Sequence, residues 1–393
     1  MEPLLPRENK DLAELVMKVY ADAAELAGMV HPITRKEIAR LLRHINSYYS
    51  NRIEGEHTTP ADIERAVKRE YSTDKEKKRL QMLSVAHIEV QKIIDKRFEA
   101  GEDVPVYSSE FLCWIHKEFY DRVPESFLKI VHPDQQQITM VPGELRKENV
   151  VVGNHVPPKW ERVQEFLKRF EKVYSSGSLY GHRKLLSVAA SHHRLTWIHP
   201  FLDGNGRVSR LFTYAAMRKA AIESHGLWTM SRGFARNADK YKHMLSIADS
   251  SRRGDYDGRG NLSESALSEF STFFFEIASD QITFMKQLLS LDGLYTRIEN
   301  YVNLRAGGAL PTEKPLRPEA KYVLTEVMMR GEIARGEVPR LIGLSERTAT
   351  TLIRQLLDEE LVTSGSHRAP LRFHIPAKVI GYYFPDLYPA GSI

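Results

Sequence analysis

The stretch HPFLDGNGRVSR, residues 199 to 210, decides how the whole chain is interpreted. Its central Gly204-Asn205-Gly206 can turn backbone N–H groups toward one point at the start of a helix, where the helix dipole also favours an anion. Arg207 and Arg210 leave the same side of that helix, and two guanidinium groups suit a di- or triphosphate. The stretch therefore predicts a phosphate-binding loop between two helices.

Two further residues give this loop its chemistry. Asp203 is the one acid in the stretch, and a carboxylate among cationic groups is suited to hold Mg²⁺ between phosphates. His199 is the group that can accept a proton near neutral pH. A zinc site formed by His192, His199 and Asp203 is a rival interpretation, but two helical turns, about 10 Å, separate the two histidines. We therefore expect a nucleotide site with Mg²⁺ as its metal.

The complete stretch resembles the signature motif of the Fic family. The resemblance covers roughly residues 100 to 295 as the core, plus the N-terminal helices. It implies an all-helical fold that transfers AMP from ATP to a Tyr, Thr or Ser hydroxyl of a protein. It implies that His199 is the catalytic base and that Asp203 binds Mg²⁺. Tyr241 resembles a position on the adenine side of the family's site. The remaining motif residues resemble its phosphate contacts, namely Gly204, Asn205, Gly206, Arg207 and Arg210.

A second motif lies before this core. The sequence SNRIEG, residues 50 to 55, resembles the inhibitory motif of many Fic proteins. Ser50 and Glu54 lie one helical turn apart, and Gly55 is placed to end the helix. The resemblance implies that Glu54 pairs with Arg210 and competes there with the γ-phosphate of ATP. We therefore predict an autoinhibited enzyme that modifies a target protein and itself. If Glu54 instead orients water, the enzyme would remove AMP from a modified protein.

Hydrophobic periodicity predicts an all-α protein over most of the chain. The exception before residue 300 is 138 to 153, where ITMV, the turn PGE and VVVG predict a hairpin. This hairpin resembles the family's flap, and its edge, Val150, Val151 and Val152, is expected to pair with an extended target segment. The predicted domains are N-terminal helices over 1–100, a Fic core over 101–300, a linker over 301–318 and a small domain over 319–393.

The small C-terminal domain has its own pattern. Three short helices and two strands between 319 and 376 follow the order of a winged helix-turn-helix domain. Arg347 and Arg354 lie on its predicted recognition helix, but the acidic run 358–360 and a nearly balanced charge are untypical of strong DNA binders. Contact with DNA and docking to protein both stay open. In the first case the chain is alternatively a DNA-binding regulator whose core senses a nucleotide.

Composition limits the classes of protein to which this chain can belong. The chain has 393 residues, a net charge of +5 and 42% hydrophobic residues, which is typical of a globular protein of two or three domains. Its single cysteine, Cys113, allows no internal disulfide, and with no recognisable signal peptide this favours the cytoplasm. No apolar run is long enough for a membrane span. The target protein, the activating signal and the choice between monomer and homodimer stay open.

Overall fold

The structure, a computed structural model, describes residues 1–7, 9–131 and 137–389. The helices are α1 Lys10–Gly28, α2 Pro32–Ile53, α3 Pro60–Val67, α4 Lys75–Glu99, α5 Ser109–Tyr120, α6 Val163–Tyr174, α7 Gly181–Ile198, α8 Asn205–Lys219, α9 Met230–Arg236, α10 Ala238–Ala248, α11 Glu264–Leu289, α12 Leu291–Ala306, α13 Ala320–Arg330, α14 Val338–Ile342, α15 Glu346–Asp358 and α16 Ala377–Tyr383. The strands are β1 Lys129–Val131, β2 Gln137–Thr139, β3 Glu332–Ile333, β4 Val362–Thr363 and β5 Leu371–Phe373. The predicted all-α class is confirmed.

Polar side chains fix the helix starts where the sequence predicts them. Thr59, Ser108 and Ser345 each accept a hydrogen bond from the backbone N–H three residues later, at the start of α3, α5 and α15. Caps of this kind stabilise a helix by about 1 kcal/mol. Gly55 follows the end of α2 with φ at +82°, a conformation that favours glycine. The chain therefore turns sharply just after Glu54.

Helices α7 and α8 form the centre of the molecule. Every residue of α7 from Leu185 to Leu195 is buried, and so is every residue of α8 from Val208 to Met217. A helix that is covered on all sides belongs to a protein core. The loop between these two helices is therefore held at both ends by packed structure, which fixes the position of the 199–210 motif.

The hairpin predicted over 138–153 pairs differently. Strand β2 pairs with β1, with Ile138 opposite Ile130, and residues 132–136 between the strands lie outside the described part of the chain. The prediction of a strand over 150–153 is wrong. Val152 instead exchanges two backbone hydrogen bonds of 3.0 Å with His155 across a two-residue turn.

A buried arginine explains this difference. The guanidinium group of Arg146 donates hydrogen bonds to the carbonyl oxygens of His199, Glu148 and Pro158. These bonds tie the segment from 146 to 158 to the core in an irregular path, so its backbone is not free to pair with β2. Val151 and Val152 nevertheless remain 69% and 43% exposed beside the motif loop.

The C-terminal unit contains the helices and strands that the sequence predicts, in the same order. Helices α13, α14 and α15 precede β4 and β5, and β3 adds a third strand that the sequence analysis missed. The sheet order is β3-β5-β4, with both pairs antiparallel. Helix α16 then follows. The assignment of this unit to the winged helix-turn-helix class stays a prediction.

The segment 301–318, predicted as a linker, is partly helical and anchored. Helix α12 continues to Ala306. Arg305 is 1% exposed, donates to the carbonyl oxygen of Lys314 and forms ion pairs with Glu313 and Glu359. The C-terminal unit is therefore attached through a packed connection.

The same unit packs directly on α2. The hydroxyl of Thr34 donates to the carbonyl oxygen of Met328 at 2.6 Å, and that of Tyr49 donates to Leu387 at 3.1 Å. The rings of Tyr48 and Tyr388 meet edge to face with centroids 5.0 Å apart. Helix α2 is thus held by the C-terminal unit in the turns that precede Ser50 and Glu54. Among the described residues, every helix is too short or too polar to cross a lipid bilayer.

Candidate functional site

The loop between α7 and α8 is shaped by its own residues. His199 ends α7 in a left-handed conformation, with φ at 49° and ψ at 63°. Asn205 opens α8, and its side chain both accepts from the N–H of Phe201 at 2.9 Å and donates to the carbonyl of Phe201 at 2.8 Å. The phosphate contact of Asn205 stays a prediction. Its amide side chain closes the loop.

Each of the two glycines lies directly against a neighbouring side chain. A Cβ atom on Gly204 would lie 2.2 Å from the hydroxyl of Tyr120, and Gly204 has φ at +79°. A Cβ atom on Gly206 would lie 2.2 Å from Oε1 of Glu54. The Glu54 carboxylate therefore lies against the first turn of α8, the place where a helix attracts an anion.

Both motif arginines are buried, and both contact side chains at the C-terminal end of α2. Arg210 donates from Nε to the hydroxyl of Ser50 at 2.8 Å and from a terminal nitrogen to Oε1 of Glu54 at 2.6 Å. Arg207 lies 3.4 Å from the side-chain oxygen of Asn51 and 3.3 Å from the Tyr120 hydroxyl. The predicted pairing of Glu54 with Arg210 is thus present in the structure, and Ser50 adds a second contact to the same guanidinium group.

The charge of Glu54 is maintained by these arginines. Burial would raise the pKa of the Glu54 carboxyl, but Arg210 and Arg207 outweigh burial and lower the pKa below its ordinary value of 4.5. Arg210 has a side chain that is 2% exposed, whereas that of Glu54 is 32% exposed. The Glu54 carboxyl is therefore ionised at neutral pH and partly open to solvent.

His199 is neutral at physiological pH. Burial, followed by the nearby charges of His155 and Arg146, lowers the pKa of His199 from 6.5 to about 4. A histidine with a free ring nitrogen at pH 7 is able to accept a proton. Because its carbonyl oxygen is held by Arg146 at 2.7 Å, the position of the His199 backbone is also fixed.

A cavity of about 840 Å³ joins most of these groups, and its size is within the range of small-molecule sites. Of the predicted site residues, it is lined by Glu54, Gly55, Val152, His199, Asn205, Gly206, Arg210 and Tyr241. Asp203 does not form part of this wall. It is exposed on the loop, where its carboxylate accepts from the N–H of Gly204 at 2.6 Å.

Tyr241 lines the cavity but is largely a core residue. It is 3% exposed, its hydroxyl forms a hydrogen bond of 2.8 Å with Nε2 of His192, and its ring stacks on Phe234 at 4.1 Å. The other ring nitrogen of His192 lies 2.6 Å from the hydroxyl of Thr213, so His192 has no nitrogen left for zinc. Within the described residues, no group of three or more His, Cys, Asp or Glu side chains is placed to hold a metal.

A second cluster at the cavity wall was missed in the sequence. His155 and His193 lie 3.2 Å and 3.1 Å from the two carboxylate oxygens of Asp249. Burial would raise the pKa of Asp249, but the hydrogen bonds from these histidines outweigh burial and lower it to about 2. The cluster ties the 152–155 turn to α7 and the end of α10. The three residues are far apart in sequence, and no motif connects them.

Comparison with known proteins finds relatives of the segment that contains this site. Residues 106–217 match the model of the Fic/DOC family. Proteins from Drosophila erecta and Drosophila ananassae, both named protein adenylyltransferase Fic, are 33% and 34% identical to the chain over 107 residues. The match covers 27% of this chain and only 20% of each relative, so it concerns the motif-bearing core alone.

Solved structures extend the likeness to the fold of the whole chain. A Fic family protein from Desulfovibrio desulfuricans covers 95% of this chain with a TM-score of 0.53 and 14% identity. A signalling protein with a Fic domain from Bacteroides thetaiotaomicron covers 70% with a TM-score of 0.51 and 16% identity. Residues 106–217, which include the 199–210 loop, are therefore similar to the Fic/DOC family, and the fold of the chain is similar to that of solved Fic proteins.

Proposed function

We propose that this protein transfers AMP from ATP to a hydroxyl group of a target protein and that Glu54 holds the activity in check. One observation carries the proposal: a carboxylate already occupies the helix N-terminus and the arginine that suit a triphosphate. Glu54 rests against Gly206 and bonds to Arg210 at the wall of a cavity large enough for a nucleotide. The curated relatives named as adenylyltransferases support the reaction type.

The residues suit nucleotidyl transfer. His199, neutral at pH 7, takes the proton of the attacking Ser, Thr or Tyr hydroxyl. The hydroxyl oxygen forms a bond to the α-phosphorus of ATP, the bond to the bridging oxygen breaks, and pyrophosphate leaves with the negative charge. The N–H groups at the start of α8, together with Arg207 and Arg210, are placed to stabilise that charge. His199 and the anion site belong to one loop, so their relative positions are fixed before substrate binds.

The donor set also fits Mg²⁺. This ion is commonly bound by one or two carboxylates and by substrate phosphates, with water completing its shell. Asp203 offers a single exposed carboxylate on the loop that precedes the α8 N-terminus, and one of its oxygens has no bond to Gly204. Bound Mg²⁺ would neutralise phosphate charge there. We propose Asp203 as its protein ligand.

Inhibition follows from competition for one guanidinium group. While Arg210 is paired with Glu54, it binds a γ-phosphate more weakly. The carboxylate of Glu54 and the γ-phosphate also repel each other. Without that anchor the triphosphate is free to bind with its α-phosphorus turned away from the attacking hydroxyl. Release of Glu54 is thus the step that permits transfer. If Glu54 orients a water molecule instead, its loss would abolish AMP removal rather than release transfer.

The exposed edge at Val150, Val151 and Val152 is the proposed docking site for the target. Val151 and Val152 leave apolar side chains in solvent, and Val152 also lines the cavity. An extended target segment beside this turn would bring its hydroxyl side chain to His199. Because the turn is short, we propose that few backbone hydrogen bonds hold the target here.

Labelled ATP tests the reaction. The Glu54→Gly variant, incubated with Mg²⁺ and ATP labelled at the α-phosphate, should acquire protein-bound label, either on itself or on proteins of a host extract. ATP labelled at the γ-phosphate should leave none, which separates AMP transfer from phosphorylation. Adding His199→Ala should remove the α-label. Equal labelling from both nucleotides, or none from the α-label with the protein folded, would refute AMP transfer.

A further inference from the structure

The outward side of α15 carries arginines that the rest of the molecule does not neutralise. The helix buries one apolar side against its own unit, formed by Ala349, Leu352, Ile353 and Leu356. Its opposite side exposes Arg347, Thr350, Thr351 and Arg354. Arg340 on α14 and Arg368 on the loop between β4 and β5 are exposed as well. Their chain neighbours Pro339 and His367 line one groove with Arg354. We call Arg340, Arg347, Arg354 and Arg368 the arginine face.

These four arginines differ from the other cations of the same unit. In the part of the chain that the structure describes, none of their guanidinium groups forms a hydrogen bond or an ion pair. Elsewhere in the unit, Arg330 pairs with Glu337 at 2.9 Å and Arg372 pairs with Glu332 at 2.8 Å. Exposed arginines away from α15 thus form ion pairs with carboxylates, whereas the four arginines around α15 do not.

Helix α15 begins after a tight turn and carries two of the arginines on one side. A three-residue turn, 343–345, joins α14 to α15, with Gly343 at φ +67° and Ser345 as the cap. Arg347 lies in the first turn, and Arg354 follows seven residues later, about 10 Å further along the axis on the same side. The hydroxyls of Thr350 and Thr351 bond to carbonyls of their own helix at 2.8 Å and 3.0 Å, which turns part of each side chain inward.

We propose that the arginine face binds duplex DNA, with α15 in the major groove and the loop between β4 and β5 against the adjoining backbone. A major groove about 12 Å wide accepts one helix, and a helix with cations near its N-terminus and outward side meets base edges and phosphates together. The backbone of DNA carries regularly spaced phosphates, and these would pair with the four unpaired arginines of this face.

Two acidic residues weaken the attraction of this face for DNA but leave its net charge positive. Glu346 and Asp358 are exposed at the two ends of α15. They leave a surplus of two positive charges on a face with four arginines, so we expect binding that depends strongly on salt. A groove of about 690 Å³ between α14 and α15, with Ala349 and Ile353 in its wall, would suit an apolar peptide instead. The unpaired arginines favour DNA over such a peptide, and a groove that serves a peptide alone would leave the chain without affinity for a DNA duplex.

Fluorescence anisotropy of the full chain with a labelled duplex of two helical turns provides that test. Arg347→Ala/Arg354→Ala should weaken binding at low salt by at least tenfold. It should also lower the slope of log affinity against log salt by roughly two, since each lost phosphate contact removes about 0.9. Arg330→Ala/Arg372→Ala is the matched control, because it removes the same charge from exposed arginines that are already paired. The control should change binding by less than twofold.

Several results would overturn the proposal. They are no binding of the parent chain to the duplex at low salt, equal weakening in both double variants, and equal affinity for a duplex RNA of the same length. Circular dichroism of each variant shows whether it remains folded, and Arg347→Lys/Arg354→Lys, which keeps the charge, should retain most of the salt slope. None of these readouts uses AMP transfer, so the result is independent of the proposed reaction.

Discussion

Replacing Glu54 with glycine should raise AMP transfer, and a gain is informative because loss of a carboxylate ordinarily lowers or spares an enzyme's activity. The change removes the carboxylate that bonds to Arg210 at 2.6 Å and lies over Gly206. Ser50 still contacts the same guanidinium group through its hydroxyl at 2.8 Å and its carbonyl at 2.9 Å. Arg210 is therefore expected to stay in position and to become available to the γ-phosphate.

The size of the gain follows from the contact that is lost. A charge-assisted hydrogen bond contributes about 1.5–3 kcal/mol. At about 1.4 kcal/mol per decade, its removal should increase the transfer rate roughly ten- to a hundredfold. Glu54→Gln keeps a neutral hydrogen-bonding group of the same size and should give a smaller gain. Arg210→Ala added to Glu54→Gly should erase most of the gain, because both effects act through one guanidinium group.

A matched glutamate controls for the loss of an acid in this segment. Glu56 lies two residues after Glu54, but it pairs with Arg79 at 2.9 Å. Glu56→Gly should leave transfer within about twofold of the parent, since Glu56 does not line the cavity and its pair with Arg79 lies away from Arg210. Initial rates of label transfer from α-labelled ATP, measured side by side, give the comparison. A fall in transfer for Glu54→Gly, with unchanged circular dichroism, would refute autoinhibition and favour AMP removal.

The remaining predictions use the same assay. His199→Ala in the Glu54→Gly background should abolish transfer and leave ATP affinity by calorimetry within about threefold; transfer near the parent level would exclude His199 as the base. With the pKa of His199 at about 4, kcat/KM of Glu54→Gly should be unaffected by this group between pH 8 and 6 and fall only as the ring protonates near pH 4; a fall centred near 6.5 would contradict the lowered pKa. Asp203→Ala should raise the Mg²⁺ concentration needed for half-maximal transfer by tenfold or more, whereas superimposable titrations would place the ligand elsewhere. Tyr388→Ala, which removes the ring against Tyr48, should loosen α2 and raise transfer in the parent but not in Glu54→Gly; equal gains in both would mean that Tyr388 acts apart from Glu54.

The parts of the site that the sequence predicts are local ones. Gly204, Gly206 and the two arginines are close together along the chain, so helical geometry alone brings them to one point. The pairing of Glu54 with Arg210 spans 156 residues and was predicted only through a family resemblance. Its confirmation by the structure shows that the SNRIEG turn reaches the motif loop.

The parts that the sequence analysis missed depend on tertiary packing. Tyr120 lies against Gly204, and Arg146 holds the carbonyl of His199, yet neither residue belongs to a motif. The strand expected over 150–153 was inferred from three valines, whose β propensity was overridden by the hydrogen bonds of Arg146. The bonds of the Asn205 amide to the backbone N–H and carbonyl of Phe201 were likewise not predicted from the sequence.

The central claim is that Glu54 occupies the place of a γ-phosphate, and the ratio of ATP to ADP affinity tests it most directly. Calorimetry in the His199→Ala background avoids consumption of nucleotide. With Glu54 present, ATP and ADP should bind with affinities within about threefold of each other, because Arg210 is already paired. With Glu54→Gly, ATP should bind roughly ten- to a hundredfold more tightly than ADP, the equivalent of one charge-assisted hydrogen bond. An ATP preference that is the same with and without Glu54 would contradict the account.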